Sequence, residues 1–93
     1  MASEIVMLIT ELRNRQRIIL PSAKGAYSFG RSPHCDYILR RNHIGDRQFT
    51  LHSRGENWVV TDDASGCTTW YNNHPMSGGE SHLLQPGDVI GIN

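Results

Sequence analysis

The chain has 93 residues, and its nine Lys and Arg side chains balance nine Asp and Glu, so the formal net charge is zero. This length predicts one domain, residues 1–93, without room for a second core. A neutral chain has no general attraction for nucleic acid or for an anionic membrane surface, so any recognition of charge must be local.

Neither the apolar runs nor the cysteines indicate membrane insertion or secretion. The longest apolar run, Ile5 to Ile9, is too short to cross a bilayer. The two cysteines, Cys35 and Cys67, make neither a disulfide framework nor a metal-binding CxxC motif. We therefore expect free thiols, no direct membrane contact, and a cytoplasmic location, either alone or as the cytosolic domain of a larger or membrane-anchored protein.

The first segment of the chain has two interpretations. Ile5, Leu8 and Leu12 fit the spacing of an amphipathic helix. The same segment, residues 4–12, is also rich in the Ile and Val typical of a strand. A second apolar run, residues 17–20, follows a polar stretch that is compatible with a hairpin turn. We favour a strand for the first segment.

From residue 27 onward the pattern is consistently that of strands. Short apolar or aromatic runs alternate with polar, Gly or Pro residues, which predicts a sandwich or barrel rather than βαβ units. The runs are Tyr27–Phe29, Tyr37–Leu39, Phe49–Leu51, Trp58–Val60, Trp70–Tyr71, His82–Leu84 and Val89–Ile92. We expect Trp58 and Trp70 to contribute to packing rather than to hold a ligand.

Two short stretches resemble a known family. Gly30-Arg31 with Cys35-Asp36, and Pro86-Gly87-Asp88 later in the chain, resemble the opening and closing signatures of the forkhead-associated (FHA) domain. The resemblance covers roughly residues 4–93, and it adds weight to a strand in the first segment. It implies an all-β fold, an FHA/SMAD-like sandwich of two antiparallel sheets with its functional loops at one end. It also implies a non-enzymatic signalling module that docks phosphothreonine peptides and needs no cofactor.

The end of the chain departs from that family. FHA domains finish with one more strand after the segment that matches Asp88–Ile92, and that strand pairs with the first. This sequence stops at Asn93. We therefore expect a truncated final strand in a domain cut from a longer protein. The alternative is a first strand left as an open edge, which invites pairing between chains. A monomer or a weak dimer is expected.

The loops that complete the family's phosphate pocket are also altered. Where the family has Ser-Arg-x-His, this chain has Gly45-Asp46-Arg47-Gln48, and where it has Ser-x-Asn-Gly-Thr, this chain has Ser65-Gly66-Cys67-Thr68-Thr69. The serine hydroxyl and the asparagine amide of the family pocket are therefore missing. Because a hydrogen bond to a charged group contributes roughly 1.5–3 kcal/mol, their loss would cost ~3–6 kcal/mol. That corresponds to on the order of 10²–10⁴ in affinity.

Three hypotheses for function follow from this intact framework and depleted pocket. The leading one is phosphate-independent docking of a protein partner through the loop end. Its contact residues are Arg31, Ser32, Gly45, Asp46, Arg47, Ser65, Gly66, Cys67 and Asn72. The second is atypical binding of a phosphothreonine peptide by Arg31, helped by Ser32, Arg47 and main-chain N–H groups. The third is a scaffold role in a larger complex through a sheet edge.

The role of Arg31 separates the first two hypotheses. If it does not bind phosphate, we expect it to pair with a carboxylate such as Asp46 or Asp36. Arg40 and Arg41, with His43 and Arg47, form either a solvated basic loop or a source of replacement positive charge.

Catalytic and metal-binding functions have little support in the sequence. His34 and Cys35 are adjacent, and no pair of residues has zinc-ligand spacing. Ser32 and Ser65 could be combined with His74 or His82, but no nucleophile elbow frames either serine. We expect no enzyme activity and no metal site.

Overall fold

The computed structural model describes residues 2–9, 14–21, 24–55, 57–64, 66–85 and 87–92, with residues 2–9 and 14–21 described by their backbone alone. These residues form strands and loops, without a helix. The strands are β1 Ala2–Ile9, β2 Asn14–Pro21, β3 Ala26–Gly30, β4 Tyr37–Ile38, β5 Phe49–Arg54, β6 Asn57–Asp62, β7 Thr69–Tyr71, β8 His74–Pro75, β9 Ser81–Leu83 and β10 Val89–Ile92. The predicted all-β fold is confirmed.

The strands form two sheets of five strands each. The first sheet has the order β2-β1-β10-β7-β8, and the second has the order β4-β3-β5-β6-β9. Most neighbours are antiparallel, as the sandwich prediction requires, but β1 pairs with β10 and β3 with β4 in parallel. No described helix could span a membrane.

The first segment forms a strand, as favoured from the sequence. Strand β1 pairs antiparallel with β2, from Ala2 opposite Pro21 to Ile9 opposite Asn14, which confirms the pairing of the two segments. Residues 14–16 of the polar stretch expected at the turn belong to β2 instead, and the residues that join the two strands lie outside the described ones. On its other side β1 pairs in parallel with β10, from Val6 opposite Val89 to Ile9 opposite Ile92. The alternative that the first strand is an open edge is therefore wrong for residues 6–9. Over residues 6–9 the main chain of β1 has strand partners on both sides, whereas residues 2–5 pair with β2 alone among the described strands. In the strand order, β2 rather than β1 forms that edge of the sheet.

The hydrophobic core lies between the two sheets and is rich in aromatic rings. Phe29 stacks against Phe49 and against Tyr37, with ring centroids 4.6 Å apart in both pairs. Trp58 is buried and its ring centroid lies 5.7 Å from that of Tyr27, so its predicted packing role is confirmed. Phe29 lies near the end of β3, and Phe49 is the first residue of β5. Their stacking therefore fixes where the loops between these two strands begin and end.

Candidate functional site

The loops at one end of the second sheet are joined by main-chain hydrogen bonds. This region, called the loop end, comprises residues 31–36, 39–48 and 66–68. The N–H of Arg31 donates to the carbonyl of Gly45 at 3.0 Å, and the N–H of Ser32 donates to the carbonyl of Asp46 at 3.1 Å. The Cys35 thiol also donates to the Asp46 carbonyl, at 3.1 Å. The loop after β3 is thus held against the loop before β5.

Two glycines allow these loops to approach closely. A Cβ on Gly30 would lie 2.2 Å from the carbonyl oxygen of Asp46, which no real side chain tolerates. Gly66 has a φ of +72°, and a Cβ there would lie 2.0 Å from the nitrogen of Gly45. Gly66 also bridges to Ile44 in the neighbouring loop. Both positions therefore require glycine to keep the loops together.

Gln48 connects two loops from inside the protein. Its side chain is fully buried. Its Nε2 donates to the carbonyl of Cys67 at 2.5 Å and to Oγ1 of Thr69 at 2.9 Å, while its Oε1 accepts from the N–H of Gly45 at 2.9 Å. The sequence singled out Gln48 only as a mismatch with the family's histidine. In the fold, it fixes the loop that contains Gly45 relative to the loop that contains Cys67.

These contacts already engage the nearest main-chain donors. The N–H groups of Arg31, Ser32 and Gly45 all donate to acceptors within the protein. The Ser32 hydroxyl oxygen accepts from the N–H of His34 at 3.1 Å. The N–H groups of these three residues therefore point inward and are not available to help Arg31 hold an anion.

The side chain of Arg31 is exposed and is not paired with a carboxylate. Its Nη1 donates to the carbonyl oxygen of Asn42 at 3.3 Å. Among the described residues it forms no ion pair, so the predicted pair with Asp46 or Asp36 is not present. The carboxylate of Asp36 is engaged elsewhere: a hydrogen bond from Lys24, followed by one from the Ser28 N–H, holds the pKa of Asp36 below its usual value.

Arg31 opens onto a cleft with a basic lining. The cleft has a volume of about 330 Å³, and the residues that line it are Arg31, Pro33, Ile38, Arg40, Arg41 and Asn42. Three guanidinium-bearing residues and no carboxylate therefore surround it. We call this space the arginine cleft. In a chain without net charge, it is a local concentration of positive charge.

A neighbouring cleft contains other predicted site residues. It has a volume of about 380 Å³ and is lined by Ser28, Ser32, His34, Cys35, Asp46 and Arg47. The adjacent residues Arg31 and Ser32 thus belong to different clefts. Asp46 lines the second one, so its carboxylate is not part of the lining around Arg31.

The remaining predicted residues are distributed as follows. Gly66 and Cys67 lie at the loop end, and Cys67 is half-buried with its Sγ 3.7 Å from Oε1 of Gln48. Ser65 lies outside the described residues, as does Pro86 of the closing signature. Asn72 is not brought to the loop end, because it follows the far end of β7.

Asn72 takes part in a structural network with the turn before β10. Its Oδ1 accepts from the N–H of Val89 at 2.9 Å, and its Nδ2 donates to Asp88 at 3.2 Å. Asp88 also accepts from the hydroxyl of Tyr71 at 2.6 Å and from the N–H of Gln85 at 2.7 Å. Burial opposes ionisation of Asp88, but these hydrogen bonds outweigh it and hold its pKa below the usual value. The hydrogen bond that the Tyr71 hydroxyl donates to Asp88 in turn raises the pKa of Tyr71.

Within the described part of the chain, no group of three His, Cys, Asp or Glu side chains could hold a metal ion. The fold is a two-sheet sandwich whose loops at one end surround the exposed side chain of Arg31. The FHA domain family model matches residues 27–93, so the chain belongs to the FHA family, whose members are protein–protein interaction modules.

One curated relative of the chain is a kinase of budding yeast. The chain is 29% identical over 72 residues to the serine/threonine-protein kinase RAD53 of Saccharomyces cerevisiae, covering 76% of this chain and 9% of the kinase. The chain thus spans less than a tenth of that kinase. A match of this extent does not assign kinase activity to the chain.

Solved structures have the same fold at low identity. The N-terminal FHA domain of Rad53p from S. cerevisiae, in complex with a phosphothreonine peptide, has a TM-score of 0.72 and 22% identity, covering 96% of this chain and 78% of that one. The FhaA FHA domain, complexed with the intracellular domain of Rv3910, has a TM-score of 0.71 and 21% identity, covering 97% and 91%. These likenesses confirm the FHA sandwich.

Proposed function

We propose that this domain binds a phosphorylated peptide at its loop end, with Arg31 as the contact to the phosphate. The observation that carries the proposal is the exposed guanidinium of Arg31, which opens onto a cleft without a carboxylate in its lining. A phosphorylated residue brings about −1.5 to −2 charge and three strong acceptors. The planar guanidinium fork can contact two of those oxygens at once.

The position of Arg31 is partly set before any ligand arrives. The main-chain N–H of Arg31 donates a hydrogen bond to the carbonyl of Gly45, and its Nη1 donates one to the carbonyl of Asn42. A side chain that is already placed loses less conformational freedom on binding, and preorganisation of this kind increases affinity. The buried amide of Gln48 supports the same arrangement, because it ties Gly45 to the next loop.

Two further arginines would offset the donors that are missing from the loops. The lost serine hydroxyl and asparagine amide would together cost ~3–6 kcal/mol. Arg40 and Arg41 line the same cleft as Arg31. If each donates one charge-assisted hydrogen bond to the ligand, together they contribute about the same amount, at roughly 1.5–3 kcal/mol each. The phosphothreonine peptide bound to the Rad53p domain supports this class of ligand for the present chain.

Phosphate-independent docking of a protein remains the second candidate. It is favoured by the inward-facing N–H groups of Arg31, Ser32 and Gly45, which leave no main-chain donors of these residues for an anion. A cytoplasmic location, a monomeric or weakly dimeric state, the absence of enzyme activity and the absence of nucleic-acid contact stay predictions. The scaffold role through a sheet edge also stays a prediction.

An NMR titration tests the proposal against the second candidate. A pool of phosphothreonine peptides and its dephosphorylated twin are added separately to the labelled domain. We expect the amides of residues 30–32 and 39–48 to shift with the phosphorylated pool only, because the ligand contacts the side chains of these loops. The response should vanish in Arg31→Ala. Equal shifts with both pools would instead support phosphate-independent docking.

The matched control is Arg54→Ala. Arg54 is an exposed arginine at the opposite end of β5 from the loop end. Five steps along a strand place it roughly 17 Å from Phe49. This variant removes the same charge without touching the cleft, so its phosphopeptide response should match that of the unaltered domain.

A further inference from the structure

We infer that Arg40 and Arg41 form a second anion subsite beside Arg31, which accepts an acidic group of the ligand next to its phosphate. The inference rests on the proposed function and adds the class of peptide: one that carries a carboxylate or a second phosphate close to the phosphorylated residue. It begins from the charge of the arginine cleft, in which three arginines and no acidic residue form the lining.

The loop that carries these arginines is anchored at both ends. Leu39 is buried, and its N–H donates to the carbonyl of Gly30 at 2.7 Å. Ile44 is also buried, and its N–H donates to the carbonyl of Arg41 at 3.2 Å. The residues between them are therefore held outward, with Arg40 exposed and Arg41 half-buried. The subsite is thus part of a fixed loop between two core contacts.

The side chains of both arginines are available within the part of the chain that the structure describes. Neither Arg40 nor Arg41 has a side-chain hydrogen bond or an ion pair to a described residue. Arg31, by contrast, is bonded to the carbonyl of Asn42, which lies in the same loop. That bond places the guanidinium of Arg31 beside the loop of the other two.

The balance of charge points to a ligand with more than one anionic group. A phosphate monoester carries about −1.5 to −2 at neutral pH, whereas three guanidinium groups carry +3. One phosphate therefore leaves about one positive charge of the cleft without a partner. The volume of about 330 Å³ lies at the lower end of the range of roughly 300–1,000 Å³ that small-ligand pockets occupy. Ile38 and Pro33 supply an apolar wall for the intervening peptide.

The test compares phosphothreonine peptide pools with neutral flanks and with Glu-enriched flanks by calorimetry. We expect the Glu-enriched pool to bind at least tenfold more tightly to the unaltered domain. Arg40→Ala or Arg41→Ala should reduce this gain, measured between the two pools on the same variant, to less than threefold. Arg54→Ala should leave both affinities unchanged, which controls for the general loss of one positive charge.

The outcomes separate this inference from the proposed function. If the neutral-flanked phosphopeptides bind and the acidic flanks add less than threefold, the subsite is refuted while the proposed function stands. A gain that survives both substitutions also refutes it. If phosphate makes no difference but an unphosphorylated Glu-rich pool binds and is weakened by Arg40→Ala, the proposed function fails and the subsite stands. Failure of every pool to bind overturns both.

Discussion

The buried side chain of Gln48 donates to the carbonyl oxygen of Cys67 at 2.5 Å, and this contact joins the loop before β5 to the loop before β7. Gln48 occupies the place of the family's histidine, so the residue type has changed while the loops are still connected through this position. The integrity of the loop end should therefore depend on this amide more than on any exposed residue around it.

Replacement of Gln48 by Ala should destabilise the domain by about 2–6 kcal/mol. It leaves the N–H of Gly45 and the hydroxyl of Thr69 without their buried partner, and each such loss costs roughly 1–3 kcal/mol. Chemical denaturation monitored by tryptophan fluorescence measures the change. Gln85→Ala is the control, because Gln85 is exposed and a surface substitution changes stability by less than about 0.5 kcal/mol. Equal stabilities of the two variants would contradict the role of Gln48.

Gly66→Ala should be more destabilising than Gly55→Ala, although both glycines have a left-handed backbone. Their φ angles are +72° and +65°, so both substitutions incur the cost of about 1–2 kcal/mol of a side chain in this conformation. Only at Gly66 would the new Cβ collide with main chain, 2.0 Å from the nitrogen of Gly45, whereas nothing lies within 4 Å at Gly55. A difference in melting temperature between the variants measures the collision. Identical melting temperatures would show that the two loops can separate freely.

Much of the fold could be predicted because its signals are local. The alternation of short apolar runs with turn residues predicts strands, and the resemblance carried by the Gly30-Arg31 signature implies the sandwich. In the fold, Gly30 is the position that admits the carbonyl of Asp46. The parallel pairing of β1 with β10 is different, since it joins residues more than 80 positions apart, such as Val6 and Val89. No local sequence pattern specifies which distant strand pairs with β1 on that side.

The candidate site was predicted less completely than the fold. Arg31 could be named from its motif, but its lack of a carboxylate partner depends on Asp46 facing another cleft and on Lys24 engaging Asp36. Arg40 was recognised only as part of a basic loop. The available signal was its place between two apolar anchors, Leu39 and Ile44, which hold the loop outward. Asn72 matched the family motif, and its neighbours show a structural use at a turn.

Acid should destabilise the domain partly through Asp88. The pKa of Asp88 is lowered in the folded state, so the unfolded chain takes up its proton first. The stability that the ionised carboxylate contributes is therefore present above its usual pKa of about 3.8 and is lost as the pH falls through the folded value. Tyr71→Phe removes the donor at 2.6 Å and should make the loss of stability between pH 6 and pH 2 smaller.

The control for this measurement is Tyr37→Phe, in which the altered ring also lies in the sandwich but stacks on Phe29 rather than contacting Asp88. Its loss of stability in acid should match that of the unaltered domain. If Tyr71→Phe and Tyr37→Phe have the same dependence on pH, the hydrogen bond from Tyr71 does not contribute to the acid response.

Asp46→Asn should change phosphopeptide affinity by less than about threefold. Asp46 lines the cleft next to the arginine cleft, and its carboxylate is not paired with Arg31. A phosphate of about −2 charge and a carboxylate interact in water by about 1 kcal/mol at 8 Å. Physiological salt, with a Debye length of about 8 Å, reduces this to about 0.4 kcal/mol, or about twofold in affinity. Fluorescence anisotropy with a labelled phosphopeptide measures the effect. A tenfold rise in affinity would mean that Asp46 opposes the ligand directly.

The most direct test of the central claim is the affinity of one phosphothreonine peptide and its dephosphorylated form for the domain and for Arg31→Ala. We expect the phosphate to improve binding at least tenfold in the unaltered domain and by less than twofold in the variant. Chemical denaturation should give the same stability for both proteins, because the side chain of Arg31 is exposed and its hydrogen bond to the Asn42 carbonyl lies at the surface. Equal affinities for the two peptides in the unaltered domain, or a variant that is chiefly unstable, would contradict the assignment of Arg31 to the phosphate.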